Sequence, residues 1–404
     1  MAVYKIFPTQ DTTLYSAYPT MNTGLDAILE TSNIIDISGA PGVSRYLVQF
    51  DQEEILDVYS NKIDGRSYDV YFKNFIAEAR GLNQNTFLEI LPLAQSWNNG
   101  TGYTSDNPQE VDGASWAYAN YSGSGPWSLS GTHSIPSGSI DYTSSFSTIY
   151  GGAGGGNWFY DTSGSLYVVA GYVLPGYVAP QLAFSGSANV SFGLRSNKDI
   201  EANVSNISNA WVNDTIPNYG FIVKLTSSLE FSTNQNIQPI FKYYSVDTNT
   251  IYPPCLEFRW RDYETVLTGS ATGSIVNTVD LKMSLAENPG TFFPESINRF
   301  YLNVSPLYPT RTYQTSSLFT NLNYLPTSSY YAIKDLATNE FVVNFDNNYT
   351  QISSDANGNY FNVYMSGLEP ERYYKILIKT NINGSTIISD DNYYFKVING
   401  WVKI

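Results

Sequence analysis

Few residues of this chain have side chains suited to catalysis. The one histidine, His133, lies in a Ser-, Gly- and Thr-rich loop (Ser130–Gly138), and the one cysteine, Cys255, lies in an apolar run. A Ser-His-Asp triad or a multi-histidine metal site would need His133, and no Gly-x-Ser-x-Gly turn stands near it. We therefore interpret His133 as a solvated loop residue and Cys255 as a small buried hydrophobe, and we predict no catalytic residue.

Adjacent carboxylates raise the alternative of glycoside hydrolysis. The pairs Glu53/Glu54 and Asp390/Asp391 would point to opposite faces of an extended strand, whereas a hydrolytic pair must face one cleft. We therefore interpret both pairs as surface residues that favour solubility. A glycan-degrading enzyme stays a third hypothesis, because a sheet can also bring distant acids together.

Two stretches offer oxygen ligands for calcium. Asp11 and Glu30 stand in the first predicted hairpin, and Asp355–Asn359 has the Asp-x-Asn-Gly start of a calcium loop. No Glu follows at the offset of a bidentate ligand, and Asn-Gly is typical of a β-hairpin turn. The run Gly151–Gly156 lacks the Lys-Ser/Thr and the helix of a phosphate-binding loop, so it fits a flexible loop or a close chain approach. We predict no metal and no cofactor.

The main candidate binding region is 98–165, which is irregular and rich in aromatic residues and Gly. Long loops on a β-sandwich form binding sites or assembly contacts. Exposed rings beside Asn and Asp suit stacking on sugars, but rings also pack loops against a sandwich or a neighbouring subunit. The candidate residues are Trp116, Trp127, Trp158, Tyr118, Tyr121 and Tyr160. We favour packing or subunit contact and keep glycan binding as the alternative.

The amino-acid composition indicates the fold class and limits the classes of partner that we expect. Aromatic residues make up 15% of the chain, with 34 Tyr, and charged residues only 14%. Tyr, Phe and Thr fit half-buried pleated surfaces, so an all-β fold is predicted. The net charge of −15 predicts no basic face for phosphates, which excludes nucleic acid as a partner. The N-terminus lacks the features of a secretory signal and no apolar stretch approaches the ~20 residues that span a bilayer, so no membrane insertion is expected.

Several short motifs follow one another in the order of a known family. They are the Asp-Thr-Thr start and Pro-Thr-x-Asn-x-Gly turn of Phe7–Glu30, the Ser-Arg strand Ser44–Asp51, the Trp-plus-turn Ser96–Gly100, the Asn-x-Gly strand Asn218–Leu225 and the Pro-x-Leu strand Pro254–Trp260. Their order resembles that of the DNRLRE, or carbohydrate-binding-module-like, domains. The resemblance covers about residues 5–262 and implies a jelly-roll β-sandwich with an enlarged middle.

A second resemblance covers the end of the chain. Gly367–Tyr374 resembles the fibronectin-type turn, in which Leu-x-Pro precedes a strand and a Tyr packs back onto the corner. Three sequence segments resemble structural proteins of tailed phages, particularly those of the T4-like cyanophages. They are Tyr330–Asp335, Asp355–Phe361 and Glu371–Lys379. This likeness implies an Ig-like module of a virion component.

The predicted organisation is an N-terminal jelly-roll β-sandwich followed by a C-terminal Ig/fibronectin-like β-sandwich. The first spans 1–262 and carries long loops at 98–165, and the second spans 328–404. The region 263–327 is either a β linker region or a set of extra strands. Apolar residues at helical spacing predict one short helix within Asp199–Trp211.

Our first functional hypothesis is a non-enzymatic structural protein of a tailed-phage virion. It would be made in the host bacterial cytoplasm and placed at the neck, the tail or a capsid vertex, with other virion proteins and further copies of itself as partners. Low charge and many aromatic rings suit permanent contacts, and acidity keeps unassembled copies soluble and away from phage DNA. The alternative is a carbohydrate-binding adhesin that contacts a host glycan. Exposed coplanar rings in 98–165 would favour the adhesin hypothesis. Burial of these rings at a subunit contact would favour the structural-protein hypothesis.

Overall fold

A computed structural model describes most of the chain outside the centre of the 98–165 region. The described residues are 2–35, 41–82, 85–121, 125–127, 155–156, 158–159, 166–169, 172–178, 187–230, 232–265, 273–286, 288–308 and 322–398. His133 and Tyr160 lie outside them. Within them the chain is built almost wholly of β-strands with three short α-helices, which confirms the predicted all-β sandwich class.

The bounds of the elements are as follows. The first strands in chain order are β1 (Ala2–Ile6), β2 (Pro8–Tyr15), β3 (Ile28–Ile35), β4 (Pro41–Phe50), β5 (Tyr68–Asn74), β6 (Ile76–Arg80), β7 (Thr86–Pro92), β8 (Tyr118–Asn120), β9 (Gly125–Pro126), β10 (Leu166–Val169), β11 (Tyr172–Val178), β12 (Ala188–Phe192), β13 (Ile200–Asn203), β14 (Phe221–Leu225), β15 (Ile240–Tyr244) and β16 (Cys255–Trp260). The later strands are β17 (Ser274–Ile275), β18 (Leu281–Ala286), β19 (Thr291–Phe292), β20 (Ile297–Pro306), β21 (Asn323–Tyr324), β22 (Ser329–Asp335), β23 (Phe341–Val343), β24 (Ser353–Asp355), β25 (Gly358–Tyr364), β26 (Tyr373–Ile382) and β27 (Ser385–Val397). The helices are α1 (Gln52–Asp57), α2 (Ser205–Val212) and α3 (Ser227–Glu230), with a π-helical turn at Val58–Ile63 and a 3₁₀ turn at Met365–Gly367.

The chain divides into two compact units. The N-terminal unit consists of Ile6–Lys62 and Val70–Glu257, and the C-terminal unit consists of Met1–Lys5, Ile63–Asp69 and Phe258–Ile404. The predicted boundary after residue 262 lies close to the point where the chain passes from one unit to the other. The first residues of the chain, however, belong to the C-terminal unit, which local sequence patterns did not indicate.

The main sheet of the N-terminal unit is antiparallel and has the strand order β12-β7-β14-β4-β3-β15-β6, with β2 also pairing with β4. In β4 both faces are buried, since Tyr46, Leu47 and Val48 are all fully enclosed. On one side of the sheet, Phe50 makes edge-to-face contacts with Phe72 of β5 and with Phe221 of the neighbouring strand β14. The opposite side lies under the tryptophans of the 98–165 region.

The predicted helix within Asp199–Trp211 is shorter than expected. Ile200–Asn203 forms strand β13 instead, with Ile200 and Ala202 buried and the residues between them exposed, and it pairs with β5. The helix α2 begins only at Ser205. Ile200 fits both the alternation of the short strand β13 and the helical spacing of the apolar residues that follow it. The longer helical pattern therefore hid the strand pattern in the sequence.

Glu53 and Glu54 lie in a helix rather than in the extended strand that the sequence analysis assumed. Asp51 begins α1, because its Oδ1 accepts hydrogen bonds from the backbone N–H groups of Glu53 (2.6 Å) and Glu54 (3.2 Å). Acidic residues in a first helical turn also interact favourably with the helix dipole. The pair therefore has a structural role at this helix start.

The C-terminal unit is a sandwich of two main sheets with the orders β18-β20-β25-β24 and β19-β27-β26-β22-β23. Their inward side chains form one core, in which Phe300 and Phe361 of the first sheet meet Tyr374 and Phe395 of the second. Strands β18, β19 and β20 come from the region 263–327, so that region supplies extra strands to this sandwich.

Two turn predictions in the C-terminal unit are confirmed. The hydroxyl of buried Tyr374 donates to the backbone carbonyl of Glu369 (3.0 Å), which is the corner contact expected from the fibronectin-type turn. Asp355 ends β24 and Gly358 begins β25, with Asp355 Oδ1 accepting from the N–H groups of Asn357 and Gly358. Asp355–Asn359 is therefore a hairpin turn rather than a calcium loop.

We expect Tyr374→Phe to lower the unfolding free energy of the C-terminal unit by about 1 kcal/mol, the usual net value of one hydrogen bond in a buried setting. The ring stays in place, so only the corner bond to Glu369 is lost. Denaturant unfolding measures the change. The matched control is Tyr373→Phe on the exposed side of the same strand, for which no change is expected; equal effects would contradict the corner role.

Candidate functional site

The three predicted tryptophans lie in the interior of the N-terminal unit. Trp116, Trp127 and Trp158 are exposed to 4%, 1% and 1%, within a core cluster that also contains Leu47 and Ile222 of the main sheet. The indole N–H of Trp127 donates to the backbone carbonyl of Ser115 (2.8 Å). These rings are enclosed in the core and attach the loop to the sheet, as in the packing interpretation that the sequence analysis preferred to glycan stacking.

Among the described residues of that candidate set, Tyr118 and Tyr121 are the two that reach the surface. Tyr118 and Tyr121 form an edge-to-face pair with ring centroids 5.0 Å apart, and Tyr121 is 37% exposed. Tyr160 lies outside the described residues. Two perpendicular rings offer one edge and one face, not the coplanar platform that the adhesin hypothesis requires.

A buried ion pair lies beneath the tryptophans. Arg45 of β4 and Glu230 of α3 are both 0% exposed and bind through two hydrogen bonds, Nε to Oε1 (2.6 Å) and Nη2 to Oε2 (3.0 Å). The remaining Arg45 Nη1 donates to the carbonyl of Gly155 (2.6 Å). Gly155 has φ +79°, and a Cβ there would lie 2.5 Å from Arg45 Nη1. The close chain approach expected of the glycine run is thus found at Gly155.

The aromatic rings and a second cation complete this cluster. The Arg45 guanidinium lies 4.8 Å from the centroid of Trp116 and 5.2 Å from that of Trp158. Lys224, which is also buried, lies 2.6 Å from Glu89 and 3.9 Å from Glu230. Planar guanidinium groups suit both bidentate carboxylate binding and stacking on rings. We name these residues the Arg45 cluster and assign it the role of holding the 155–159 segment on the sheet.

Asn22 organises the start of the same loop region. Its side-chain N–H₂ donates to the carbonyls of Asn99 (2.7 Å) and Ala114 (2.8 Å), and its Oδ1 accepts from the N–H groups of Gly24 (3.1 Å) and Gly102 (2.9 Å). The amide is fully buried, and a buried polar group is tolerated when its hydrogen bonds are made. The Pro-Thr-x-Asn-x-Gly turn of the sequence is therefore a structural anchor for residues 99–114.

The two acids proposed for calcium have separate environments. Asp11 is 1% exposed, and its Oδ2 accepts from the N–H of Val246 (2.7 Å). Burial raises the pKa of Asp11 to about 8, opposed by the Val246 hydrogen bond and reinforced by nearby Asp247. Glu30 instead accepts from Ser32 Oγ (2.8 Å) and faces Lys242 at 3.6 Å. Within the residues described, no group of His, Cys, Asp and Glu is arranged to hold a metal ion.

A distinct surface lies on the outer face of the second sheet of the C-terminal unit. It consists of Tyr330, Lys334, Phe341, Phe345, Tyr373, Lys375, Lys379, Tyr394 and Lys396, on or beside β22, β23, β26 and β27. We name it the lysine–aromatic face. Tyr373 and Phe341 are its most exposed rings, at 55% and 43%. The face is solvent-accessible and combines rings with positive charge.

Each lysine of this face lies over an aromatic ring. The ammonium nitrogen of Lys334 is 4.4 Å from the centroid of Phe341, and that of Lys379 is 4.9 Å from Tyr330 and 5.0 Å from Phe345. Lys375 and Lys396 lie over Tyr394 and Tyr373, each at 5.7 Å. Such cation–π contacts attract the ammonium group to the face of the ring and so hold it in place. Because a cation occupies part of each ring, the rings serve here to position positive charge.

The lysines are only partly neutralised. Lys375 pairs with Asp390 (2.5 Å) and Lys396 with Glu371, whereas Lys334 and Lys379 make no ion pair with any described residue. Lys334 and Lys375 stand directly opposite each other on β22 and β26. Like charges at directly opposed positions destabilise a sheet. The arrangement therefore suits a face that receives an anionic partner.

Charge is divided unevenly between the two units. The C-terminal unit contains 13 of the 21 Lys and Arg and 15 of the 36 Asp and Glu, so the N-terminal unit keeps 8 basic and 21 acidic residues. The net charge of −15 thus belongs almost entirely to the N-terminal unit. The lysine–aromatic face therefore belongs to the unit that is close to neutral.

Sequence reasoning missed the lysine–aromatic face because its residues come from separate strands. The alternation of Tyr373, Lys375 and Lys379 along one strand was the available signal. Comparison with protein-family models, with curated proteins and with solved structures found no match. In the part of the chain that the structure describes, no helix is long and apolar enough to cross a membrane.

Proposed function

We propose that this chain is a non-enzymatic structural protein of a tailed-phage virion that acts by docking to partner proteins. The virion setting rests on the resemblance of the C-terminal residues to phage structural proteins. The single structural observation that supports a docking role is the lysine–aromatic face, where Lys334 and Lys379 lie over aromatic rings and make no ion pair with any described residue. Its position on a rigid sheet fits a permanent contact, because such a surface needs little ordering on binding.

The packing of the loop region agrees with this proposal. Trp116, Trp127 and Trp158 stabilise the N-terminal unit from within, and the Arg45 cluster holds the loop to the sheet. A scaffold protein benefits from loops that keep one conformation, since its contacts depend on fixed geometry. Among the described residues of its candidate set, the adhesin alternative keeps the Tyr118–Tyr121 pair as exposed rings.

Particles of the phage that encodes this chain provide the test. We expect the chain to sediment with particles on a density gradient after a high-salt wash, at a fixed ratio to the capsid protein by quantitative mass spectrometry. A host protein of similar abundance serves as the control for trapping. Recovery of the chain only in the soluble part of the lysate would contradict the proposal.

A glycan array on the purified chain tests the adhesin alternative. The structural role predicts no reproducible glycan signal. Binding that is lost in Tyr118→Ala/Tyr121→Ala and retained in the control Tyr103→Ala, another exposed ring of the same loop region, would favour the adhesin.

A further inference from the structure

We propose that the lysine–aromatic face docks the acidic N-terminal unit of a second copy of this chain, so that copies associate head to tail. This inference rests on the proposed function and deepens it by naming the partner and the two surfaces. It requires a face whose positive charge is not neutralised by ion pairs, a partner of opposite charge, and two different surfaces on each copy. The structure supplies all three.

The positive charge that is not neutralised belongs to Lys334 and Lys379. In the described part of the chain neither has a carboxylate partner. Their ammonium groups lie over the rings of Phe341, Tyr330 and Phe345, and that of Lys334 also donates to the neutral amide of Asn339 (3.3 Å). An ammonium placed on a ring keeps its outward side free for an anion. Positive groups held in this way steer an acidic partner and fix its register.

The partner of opposite charge is present in every copy. The N-terminal unit carries 21 acidic and 8 basic residues, whereas the C-terminal unit is close to neutral with 15 and 13. A face-to-face pairing of two lysine–aromatic faces would bring like charges together. A contact between the face and the N-terminal unit of another copy pairs opposite charges instead.

Such an interface joins two different surfaces, so it is heterologous. Heterologous contacts make rings when the rotation closes and filaments when it does not. Either product leaves every inner copy with both of its surfaces occupied. A copy with a disabled lysine–aromatic face keeps its acidic unit and can therefore still join one end of a chain of wild-type copies.

Sedimentation velocity of the full chain tests the proposal between about 0.05 and 0.5 M NaCl, a range over which the screening length falls from about 14 to about 4 Å. We expect wild-type association at low salt that is lost at high salt. The double variant Lys334→Gln/Lys379→Gln should weaken it by about tenfold or more. The control Lys282→Gln lies on β18 in the other sheet of the same unit and is exposed, so it should associate like the wild type.

A mixing experiment separates head-to-tail docking from other arrangements. Fluorescently labelled double variant should sediment alone as a monomer and bind the wild type, because its acidic unit is intact. A variant that binds neither itself nor the wild type would overturn the proposal. Thermal unfolding of the double variant, expected to match that of the control, shows that lost association is not lost folding.

The nature of the partner is tested with heparin as a polyanion probe. A wild-type chain that stays monomeric at low salt but is retained on heparin through Lys334 and Lys379 would overturn the proposal in favour of an anionic polymer. A chain that self-associates in solution but is missing from particles would support the docking surfaces and contradict the virion assignment. The two claims therefore fail separately.

Discussion

Replacing Arg45 with Ala is expected to lower the unfolding free energy of the N-terminal unit by about 3–5 kcal/mol, the usual effect of breaking a buried ion pair from one side. Glu230 would be left fully buried without its bidentate partner. The Gly155 carbonyl would also lose its donor, and Trp116 would lose the guanidinium that lies over its ring, whereas Trp158 would keep Lys224. Denaturant unfolding followed by tryptophan fluorescence measures this change, because Trp116 and Trp158 lie at the cluster.

The matched control is Arg80→Ala. Arg80 pairs with Glu78 at the end of β6, but its side chain is 69% exposed, and exposed pairs contribute about 0–1 kcal/mol. Limited proteolysis adds a second readout, since detachment of the 155–159 segment should open new cleavage sites in Arg45→Ala alone. Similar stability losses in both variants would contradict the clamp role of Arg45.

The second large effect concerns pH. Because burial raises the pKa of Asp11 from 3.8 to about 8, the folded chain holds a proton that the unfolded chain releases. The unfolded state binds fewer protons between these two values, so stability falls as pH rises through that window. The slope from this one group is about 1.4 kcal/mol per pH unit at its steepest. The stabilisation is fully present below about pH 4 and lost above about pH 8.

Asp11→Asn should remove this slope, because the amide is neutral at every pH and its oxygen can still accept from Val246. We expect the variant to exceed the wild type in unfolding free energy at pH 9 and the difference to shrink steadily as the pH falls to about 4. Asp214→Asn serves as the control, since Asp214 is exposed in the same unit and its φ of +52° accommodates Asn. A parallel shift of the whole pH curve in Asp11→Asn would contradict the titration of Asp11 as its cause.

Local patterns in the sequence determined the strands and several turns. Alternation in Ser44–Asp51 predicted β4, Asn357-Gly358 predicted a hairpin, and the Leu-x-Pro corner predicted the Tyr374 hydrogen bond. These features depend on residues within one strand or one turn. Their physical causes, φ/ψ preference and side-chain period, act over a few residues and are written directly in the sequence.

The tertiary structure alone decided which aromatic rings and charges are exposed. Arg45 and Glu230 are 185 positions apart, and no local pattern shows that they meet beneath Trp116 and Trp158. The lysine–aromatic face likewise exists only because β22, β26 and β27 lie side by side. Strand pairing depends on long-range contacts among chemically similar apolar strands. The sequence therefore left both packing and glycan stacking open for the tryptophans, and the fold buried these rings and exposed the lysines.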